Sequence, residues 1–221
     1  AADENKDQTY FLNQVKGEQL DNVLFPIGHL LKPQVRELAE SFGIPTAKKK
    51  DSTGICFIGE RNFRAFLSEY LPMQKGEIRG DDGALLGEHE GVFYYTLGQR
   101  RGLGIGGVDG ADDGRWFVVG KDVAKNVLYV SQSQESLFHN ALMCENFNFI
   151  SLKPEGEEFE CMARIRHRQP LQAARARLLP GGGVEVAFER AQRAIVEGQY
   201  VALYQGEVCL GGGEIDSKYD L

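Results

Sequence analysis

One cysteine of this chain lies in a setting that favours its reactive form. Lysines 48–50 precede Cys56 and Arg61 follows it, so four positive charges lie within eight positions of the sulfur. Nearby cations lower a thiol pKa from about 8.5 toward about 3.5–7.5, and only the thiolate attacks electrophiles or accepts sulfur. Gly54 and Gly59 let the backbone approach a ligand closely. The pattern favours a nucleophilic or sulfur-carrying cysteine. A buried structural cysteine stays open as the alternative, because free cysteine is among the most buried residue types.

The other three cysteines form no recognisable motif. Cys144, Cys161 and Cys209 are scattered without a CxxC pair, which indicates neither a zinc site nor a disulfide framework. We therefore expect no metal site and a reducing compartment. The first residues lack the basic-then-apolar pattern of a signal peptide, and no apolar run approaches membrane-spanning length, which favours a cytoplasmic protein.

The composition is that of a globular protein without general affinity for nucleic acid. The 221 residues are 42% hydrophobic and 26% charged, with a formal net charge of −7. This charge argues against a generally basic nucleic-acid binder, but it leaves a local basic patch possible.

A basic stripe does interrupt the acidic chain. Residues 161–177 contain no acidic residue, and a strand over residues 159–168 would turn Cys161 into the core and three arginines to the opposite face. Such a stripe suits phosphate oxygens or stacking on exposed bases. A solvated face paired with the glutamates among residues 155–160 is the alternative. The arginines of the stripe are Arg164, Arg166, Arg168, Arg175 and Arg177.

Residues 94–107, YYTLGQRRGLGIGG, have the GxGxG spacing of some dinucleotide-binding loops. No helix is predicted to follow them, so the phosphate-binding geometry of a helix N-terminus is missing. With Gln99, Arg100 and Arg101, the segment is predicted to form a tight β-turn or a loop that moves over a bound ligand.

The elements that must position these residues change in type near residue 72. Pro33 suits a first helical turn, Gly43 suits a C-terminal cap, and the apolar residues between them recur at helical spacing. A second amphipathic helix is predicted between Asn62 and Pro72. Helices with hardly any strand to cover are typical of the last part of an α/β domain.

Strands and turns are predicted after Pro72. Residues 115–132 are predicted to form a hairpin, and five short strands from about residue 145 predict a small barrel or sandwich. The predicted fold class is α+β: the helical end of an α/β nucleotide-binding domain, a β-rich central domain and a small C-terminal β-barrel. The predicted boundaries are 1–71, 72–143 and 144–221.

Four stretches together resemble the tRNA-specific 2-thiouridylase (MnmA) family, and the resemblance runs from end to end of the chain. That family starts with a nucleotide-binding domain that carries an SGGxDS loop and a first catalytic cysteine, and neither is in this sequence. The resemblance therefore implies the C-terminal part of such an enzyme. The stretches are NKDQTYFL (5–12), LFPIGHLLKPQVRELAESFGIPTAKKKDSTGICFIGERNFRAFL (24–67), YTLGQRRGLGIGG (95–107) and GEVCLGGG (206–213).

The resemblance also implies a chemistry for Cys56. The family uses ATP to adenylate O2 of the wobble uridine (U34) of tRNA and then replaces that oxygen with sulfur. The cysteine that matches Cys56 carries the sulfur as a persulfide, received from a sulfur-relay protein or a cysteine desulfurase. The matching enzyme would bind ATP, with Mg, in the region missing here. Either the persulfide attacks the base directly, or sulfide is released as Cys56 forms a disulfide with the absent cysteine.

The contacts with tRNA implied by the resemblance lie at both ends of the chain. Lys6, Asp7 and Gln8 match a tRNA-contacting motif beside the catalytic pocket, although they would also suit a capped loop. In the predicted barrel, Arg166, His167 and Gln199 match further contact positions. Strand alternation by itself would turn His167 inward.

Two other classes of function stay open. A nonenzymatic RNA-binding module would bind RNA tightly while Cys56 stays inert. A redox or sulfur-carrier protein without RNA is the other class, and the lack of a CxxC pair and the arginine stripe both count against it.

Overall fold

The computed structural model describes residues 1–51, 63–71, 73–105, 114–150 and 153–221. The chain divides into two compact units. One unit spans residues 52–138, and the other combines residues 1–51 with residues 139–221.

Short helices and turns make up residues 1–51. The elements are 3-10 helices Glu4–Lys6 and Thr9–Leu12, α1 (Gly17–Leu20) and α2 (Lys32–Ser41). Helix α2 confirms the first predicted helix, because Pro33 lies in its first turn and Gly43, which follows the end, has the left-handed φ of 65°. No residue of α2 is buried.

The unit of residues 52–138 contains one α-helix and a four-stranded sheet. These elements are α3 (Phe63–Ser68), β1 (Gly76–Arg79), β2 (Leu85–His89), β3 (Phe117–Asp122) and β4 (Val127–Ser131). Helix α3 confirms the second predicted helix, whereas its predicted limits, Asn62 and Pro72, lie outside the described residues.

The strand order of this sheet is β2-β1-β4-β3. Strands β3 and β4 pair antiparallel, which confirms the predicted hairpin, and β1 pairs with β4 in parallel, a long-range pairing that the sequence did not predict. Ile78, Val118 and Leu128 are fully buried in the core. Such alternating apolar positions hold the sheet together by removing their side chains from water.

The glycine-rich segment packs into the same core. Leu103 and Ile105 are 5% exposed. The backbone N–H of Gly98 donates to the Val118 carbonyl (2.7 Å), and that of Val118 donates to the Gln99 carbonyl (3.0 Å). These contacts fit the predicted tight turn better than a loop free to move over a ligand, as far as residue 105.

The second unit is built on an eight-stranded sheet in the order β12-β5-β9-β8-β7-β10-β11-β6. It curls into a barrel-like domain, and with the helices and the central sheet it confirms the predicted α+β fold class. The strands are β5 (Phe138–Cys144), β6 (Phe147–Phe149), β7 (Glu158–Arg164), β8 (Gln172–Leu178), β9 (Val184–Arg193), β10 (Tyr200–Gln205), β11 (Val208–Glu214) and β12 (Ser217–Tyr219).

Strand β7 alternates as predicted. Cys161, Ala163 and Ile165 face the barrel core, where they are at most 8% exposed. Burial raises the pKa of the Cys161 thiol to about 12, so this cysteine is a core residue. On the opposite face, Met162 packs against a small cluster that includes the buried Tyr10.

A run of glycines lets residues 10–15 lie directly on the barrel. A Cβ at Gly212 would lie 2.4 Å from the Val201 carbonyl oxygen and 2.7 Å from the Asn13 side chain, closer than real side chains pack. The Gln14 side-chain amide donates to the Gly212 carbonyl (2.8 Å), and the Asn148 amide donates to the Asn13 carbonyl (2.9 Å). The N-terminal segment is therefore fixed to the outside of the sheet.

Candidate nucleic-acid interface

A cleft of about 1220 Å³ opens where the N-terminal segment meets the barrel. Residues among 1–9, 164–171 and 204–207 line it. Tyr10 anchors the segment beside the cleft, because its hydroxyl donates to the Tyr200 carbonyl (2.9 Å) and its ring is buried against Tyr204. Two parts of the chain that are more than 150 positions apart thus share one concave surface.

The predicted trio Lys6, Asp7 and Gln8 joins the two 3-10 helices, since Lys6 ends the first and Gln8 directly precedes the second. The Asp7 carboxylate accepts hydrogen bonds from the Thr9 backbone N–H (3.1 Å) and hydroxyl (2.6 Å), as in an Asx turn. Lys6 and Asp7 line the cleft, whereas Gln8 is exposed beside it. Asp7 is therefore held by local hydrogen bonds, and the Lys6 and Gln8 side chains are exposed.

Asp51 ties this trio to helix α2. Lys6 Nζ lies 2.6 Å, Arg36 Nη2 3.2 Å and Lys32 Nζ 3.5 Å from its carboxylate. The hydrogen bond from Lys6, and then the positive charge of Lys32, lower the pKa of Asp51 to about 2. Asp51 directly precedes residues 52–62, so the predicted Cys56 lies outside the described residues.

Arg164 and Tyr204 together form a cationic and aromatic surface inside the cleft. The guanidinium carbon of Arg164 lies 4.9 Å from the centroid of the Tyr204 ring, within the range of a cation–π contact. The Tyr204 hydroxyl lies 3.3 Å from the Thr9 hydroxyl. Burial raises the pKa of Tyr204 to about 12, so the phenol stays neutral. Stacked arginine and tyrosine side chains are groups on which unpaired bases stack.

Arg166 uses part of its guanidinium inside the protein. Its Nη2 donates to the carbonyls of Arg193 and Ala194, the latter at 2.8 Å. Burial, and secondarily the charge of Arg193, lower the pKa of Arg166. The side chain thus braces the end of β9 while it lines a neighbouring pocket of about 560 Å³.

His167 does not turn into the barrel core as strand alternation would require. Strand β7 ends at Arg164, and the chain turns at residues 165–168. The imidazole instead packs 4.7 Å from the ring of Phe11, between centroids, and 6.3 Å from that of Tyr10. The structure therefore brings His167 to the segment that carries Lys6, Asp7 and Gln8.

Gln199 lies in the turn before β10. Its backbone N–H donates to the Val196 carbonyl (3.2 Å), and its carbonyl accepts from the Ile215 N–H (2.7 Å). The residue is exposed. It lines neither the cleft nor the pocket of Arg166, and its link to the segment is through the next residue, Tyr200, which accepts the Tyr10 hydroxyl.

The arginine stripe divides into two groups. Arg177 is ion-paired with Glu185 (2.7 Å), and Arg175 lies 3.9 Å from Glu160. These two arginines match the alternative of a sheet face paired with glutamates, although Glu185 lies outside the predicted residues 155–160. Arg164, Arg166 and Arg168 lie at or beyond the end of β7, beside the cleft and its neighbouring pocket. The sequence prediction missed Arg190 and Arg193, which line the pocket from the end of β9. Their spacing of three residues on a strand gave no signal of a shared surface.

Within the described residues, no group of three or more His, Cys, Asp and Glu side chains is arranged to hold a metal ion. No helix in the described part of the chain is long and apolar enough to cross a membrane.

Three family models match the chain in sequence order. They are the tRNA methyl transferase HUP domain over residues 1–60, the tRNA methyl transferase PRC-barrel domain over residues 64–132 and the aminomethyltransferase beta-barrel domain over residues 139–215.

Relatives over almost the whole chain carry the name tRNA-specific 2-thiouridylase MnmA. The proteins of Streptococcus thermophilus (strain CNRZ 1066) and Streptococcus pyogenes serotype M3 (strain ATCC BAA-595 / MGAS315) are 55% identical to it over 220 residues, and that of Streptococcus mutans serotype c is 53% identical. Each match covers 99% of this chain and 59% of the relative, so the chain spans less than two thirds of their length. On these matches, this chain belongs to the MnmA family of tRNA-specific 2-thiouridylases.

Proposed function

We propose that this chain is the RNA-binding and sulfur-carrying part of an enzyme that converts the wobble uridine of tRNA to 2-thiouridine. The observation that supports this most is the cleft, which joins the Lys6–Asp7 segment to the Arg164–Tyr204 surface of the barrel. A cleft with lysine, arginine and an aromatic ring suits a single-stranded loop whose bases leave their stack. We propose a cytoplasmic location for this enzyme.

The proposed reaction exchanges one atom of the base. O2 of the uridine attacks the α-phosphate of ATP and pyrophosphate leaves, so that adenylation turns an inert carbonyl oxygen into a leaving group. The terminal sulfur of a Cys56 persulfide then attacks C2, and AMP departs with the original oxygen. A second cysteine attacks Cys56 Sγ, which breaks the S–S bond, leaves the sulfur on the base and forms a disulfide. In the variant route, the same disulfide formation releases sulfide, which attacks C2.

We propose that a longer protein supplies what this chain lacks. The second cysteine and the site for ATP and Mg would lie in a nucleotide-binding region outside this chain, and a sulfur-relay protein or a cysteine desulfurase would load Cys56. Residues 1–71 would then end the catalytic domain, the residues after 72 would form the central domain and the C-terminal residues the tRNA-binding barrel, which begins at β5 and so a few residues before the predicted boundary at 144. The unpacked apolar side chains of residues 23–44 support a covering domain.

The test is thiolation by the chain extended to the length of its relatives. With ATP, Mg, a sulfur donor and unmodified tRNA, nucleoside mass spectrometry should detect 2-thiouridine. Cys56→Ser should abolish the product and leave tRNA affinity within about twofold. The control Cys209→Ser should retain activity, because burial raises the pKa of the Cys209 thiol and disfavours its thiolate. Product formation by Cys56→Ser would refute the role of Cys56.

A nonenzymatic RNA-binding module is the second candidate, and the same cleft favours it. It predicts that the extended protein binds tRNA with equal affinity before and after loading with sulfur and forms no 2-thiouridine. A sulfur carrier without RNA predicts no tRNA binding by this chain at any salt concentration.

A further inference from the structure

The Arg164 side chain, at the end of β7, rests on an aromatic ring. Its guanidinium carbon lies 4.9 Å from the centroid of the Tyr204 ring, and both residues line the cleft. Such a cation–π contact limits the positions that the guanidinium can take, so less conformational freedom is lost when a ligand binds. Arg164 therefore presents a preorganised planar group to the cleft.

The Tyr204 ring is itself held firmly. It is 4% exposed and packs with Tyr10 and Ala202 in one buried cluster. Tyr204 pairs with Met162 where β10 runs antiparallel to β7, and its hydroxyl lies 3.3 Å from the Thr9 hydroxyl. Because this packing fixes the ring, the ring sets the position of the guanidinium that lies over it.

Arg164 also carries a buried donor that the fold does not use. Its Nε has no hydrogen-bond partner among the described residues. Arg166, two positions along the chain, instead donates to the carbonyls of Arg193 and Ala194. Buried polar atoms without a partner are rare in native proteins and call for a functional reason. The unpaired Nε thus indicates, independently of the ring contact, that Arg164 is kept for a ligand.

The charges of the cleft favour an uncharged ligand group beside Arg164. Glu4, Asp7 and Glu207 line the cleft together with an equal number of lysine and arginine side chains. Acidic side chains repel a phosphate, whereas a nucleobase is neutral and has a π face. A base therefore suits this wall of the cleft better than a phosphate does.

The proposed reaction leaves one such π face uncovered. The wobble uridine must leave its stack to reach the sulfur, and its departure exposes the face of a neighbouring base. Unstacking costs free energy, which a protein group that covers the exposed face offsets. Arginine planes and aromatic rings are the side chains that stack on unpaired bases.

We propose that the Arg164 guanidinium, supported by the Tyr204 ring, stacks on the base next to the extruded wobble uridine and takes the place of that uridine in the stack. Arg164 is then a positioning residue, because it holds the neighbouring base and does not touch the reacting atoms. This proposal rests on the proposed function and assigns one side chain of the cleft to one base of the same RNA.

The test is a cycle that combines protein variants with base deletions in the RNA. Unmodified tRNA is prepared with an abasic nucleotide on either side of the wobble uridine, which removes one base and keeps its phosphate. In filter binding to this chain, one of the two abasic tRNAs should bind about 5- to 150-fold more weakly than intact tRNA, the range for one lost stack. In Arg164→Ala, the same deletion should change affinity by less than about twofold, because the stacking partner is already gone.

Arg164→Lys separates stacking from charge, since it keeps the positive charge and loses the planar group. It should behave as Arg164→Ala does. Arg175→Gln is the matched control, because Arg175 is an exposed arginine of β8 beside Glu160. It should keep the wild-type ratio of affinities for intact and abasic tRNA. Each ratio is measured within one variant, so a partly unfolded variant still gives a valid ratio.

Three results would overturn the proposal. The first is an equal effect of both base deletions in Arg164→Ala and in the wild-type chain. The second is a wild-type ratio in Arg164→Lys, which would make the contact one of charge. The third is a wild-type chain that binds no tRNA.

The outcome is distinct from that of the proposed function. Loss of the ratio in the Arg164 variants without thiolation by the extended protein would retain the stacking site and refute the enzyme. Thiolation with an unchanged ratio would do the reverse.

Discussion

The barrel and the helical segment before residue 51 differ in the burial of their apolar side chains. In the barrel, Ile165 and Leu203 are at most 2% exposed. In the helical segment, Leu24 is 86% and Phe42 is 77% exposed, although the apolar spacing of helix α2 is that of a helix packed on a sheet. The barrel therefore buries its own apolar side chains. In the helical segment, the apolar side chains have no neighbours within the segment that bury them. Residues 10–15 attach the segment to the barrel.

The largest effect should come from the barrel core. Leu203→Ala should lower the free energy of unfolding by about 2–5 kcal/mol, because it leaves a cavity among fully buried side chains. The matched control Leu24→Ala should change it by no more than about 0.5 kcal/mol. Urea unfolding followed by circular dichroism measures both. A loss of more than about 1 kcal/mol for Leu24→Ala would show that the segment packs its apolar face within this chain.

A smaller effect should come from the junction of the two regions. Gly212→Ala should cost about 1–3 kcal/mol, since the new methyl group would meet the Val201 carbonyl and the Asn13 side chain. Gly120→Ala is the control, because a Cβ there lies at an ordinary 3.5 Å from Tyr129. Equal stability of the two variants would contradict close packing of residues 10–15 on the barrel.

The Tyr10 hydroxyl should contribute less. Tyr10→Phe keeps the ring but removes the donor to the Tyr200 carbonyl, which should cost about 0.5–1.5 kcal/mol. Tyr70→Phe, at a residue 70% exposed, should be neutral. Faster hydrogen exchange of the backbone amides of residues 9–15 in Tyr10→Phe, and not in Tyr70→Phe, would locate the loss at the junction. Unchanged exchange would count against that anchor.

The smallest effect should be the acid titration of Asp51. Its pKa in the folded chain is about 2, below its usual value of 3.8. The contribution of the Asp51 ion pairs to the stability of the folded chain is therefore complete above about pH 4 and is lost as the pH falls toward 2. Carboxylate chemical shifts measured by NMR should show this low pKa, and 1 M salt should raise it, because exposed ion pairs are screened. A salt-independent value near 3.8 would refute the cluster with Lys6, Lys32 and Arg36.

Local patterns predicted the elements whose determinants are local. Pro33 and Gly43 marked helix α2, and the turn between β3 and β4 marked their hairpin. Strands β6 and β12 were missed because they have three residues each and pair with the distant strands β11 and β5. Strand β5, with seven residues, was missed as well. Short strands of this kind depend on tertiary partners more than on their own propensity.

The candidate site was predicted only in part for a similar reason. Alternation placed Cys161 correctly but failed at His167, because the strand ends at Arg164 and Arg168 reverses the chain with a positive φ. Arg190 and Arg193 line the pocket beside the cleft from the end of β9, and Lys6 meets Asp51 across 45 positions. No spacing rule spans such separations, whereas the resemblance to a family did indicate the Lys6 and Arg166 regions.

Ultraviolet cross-linking of unmodified tRNA to this chain, read by peptide mass spectrometry, tests the RNA interface most directly. The predicted cross-links lie in residues 1–12, 164–171 and 204–207, and excess unlabelled tRNA should compete them away. Cross-links confined to residues 172–178, where Arg175 and Arg177 lie beside glutamates, or to the exposed apolar residues 23–44, would contradict an interface formed by the cleft.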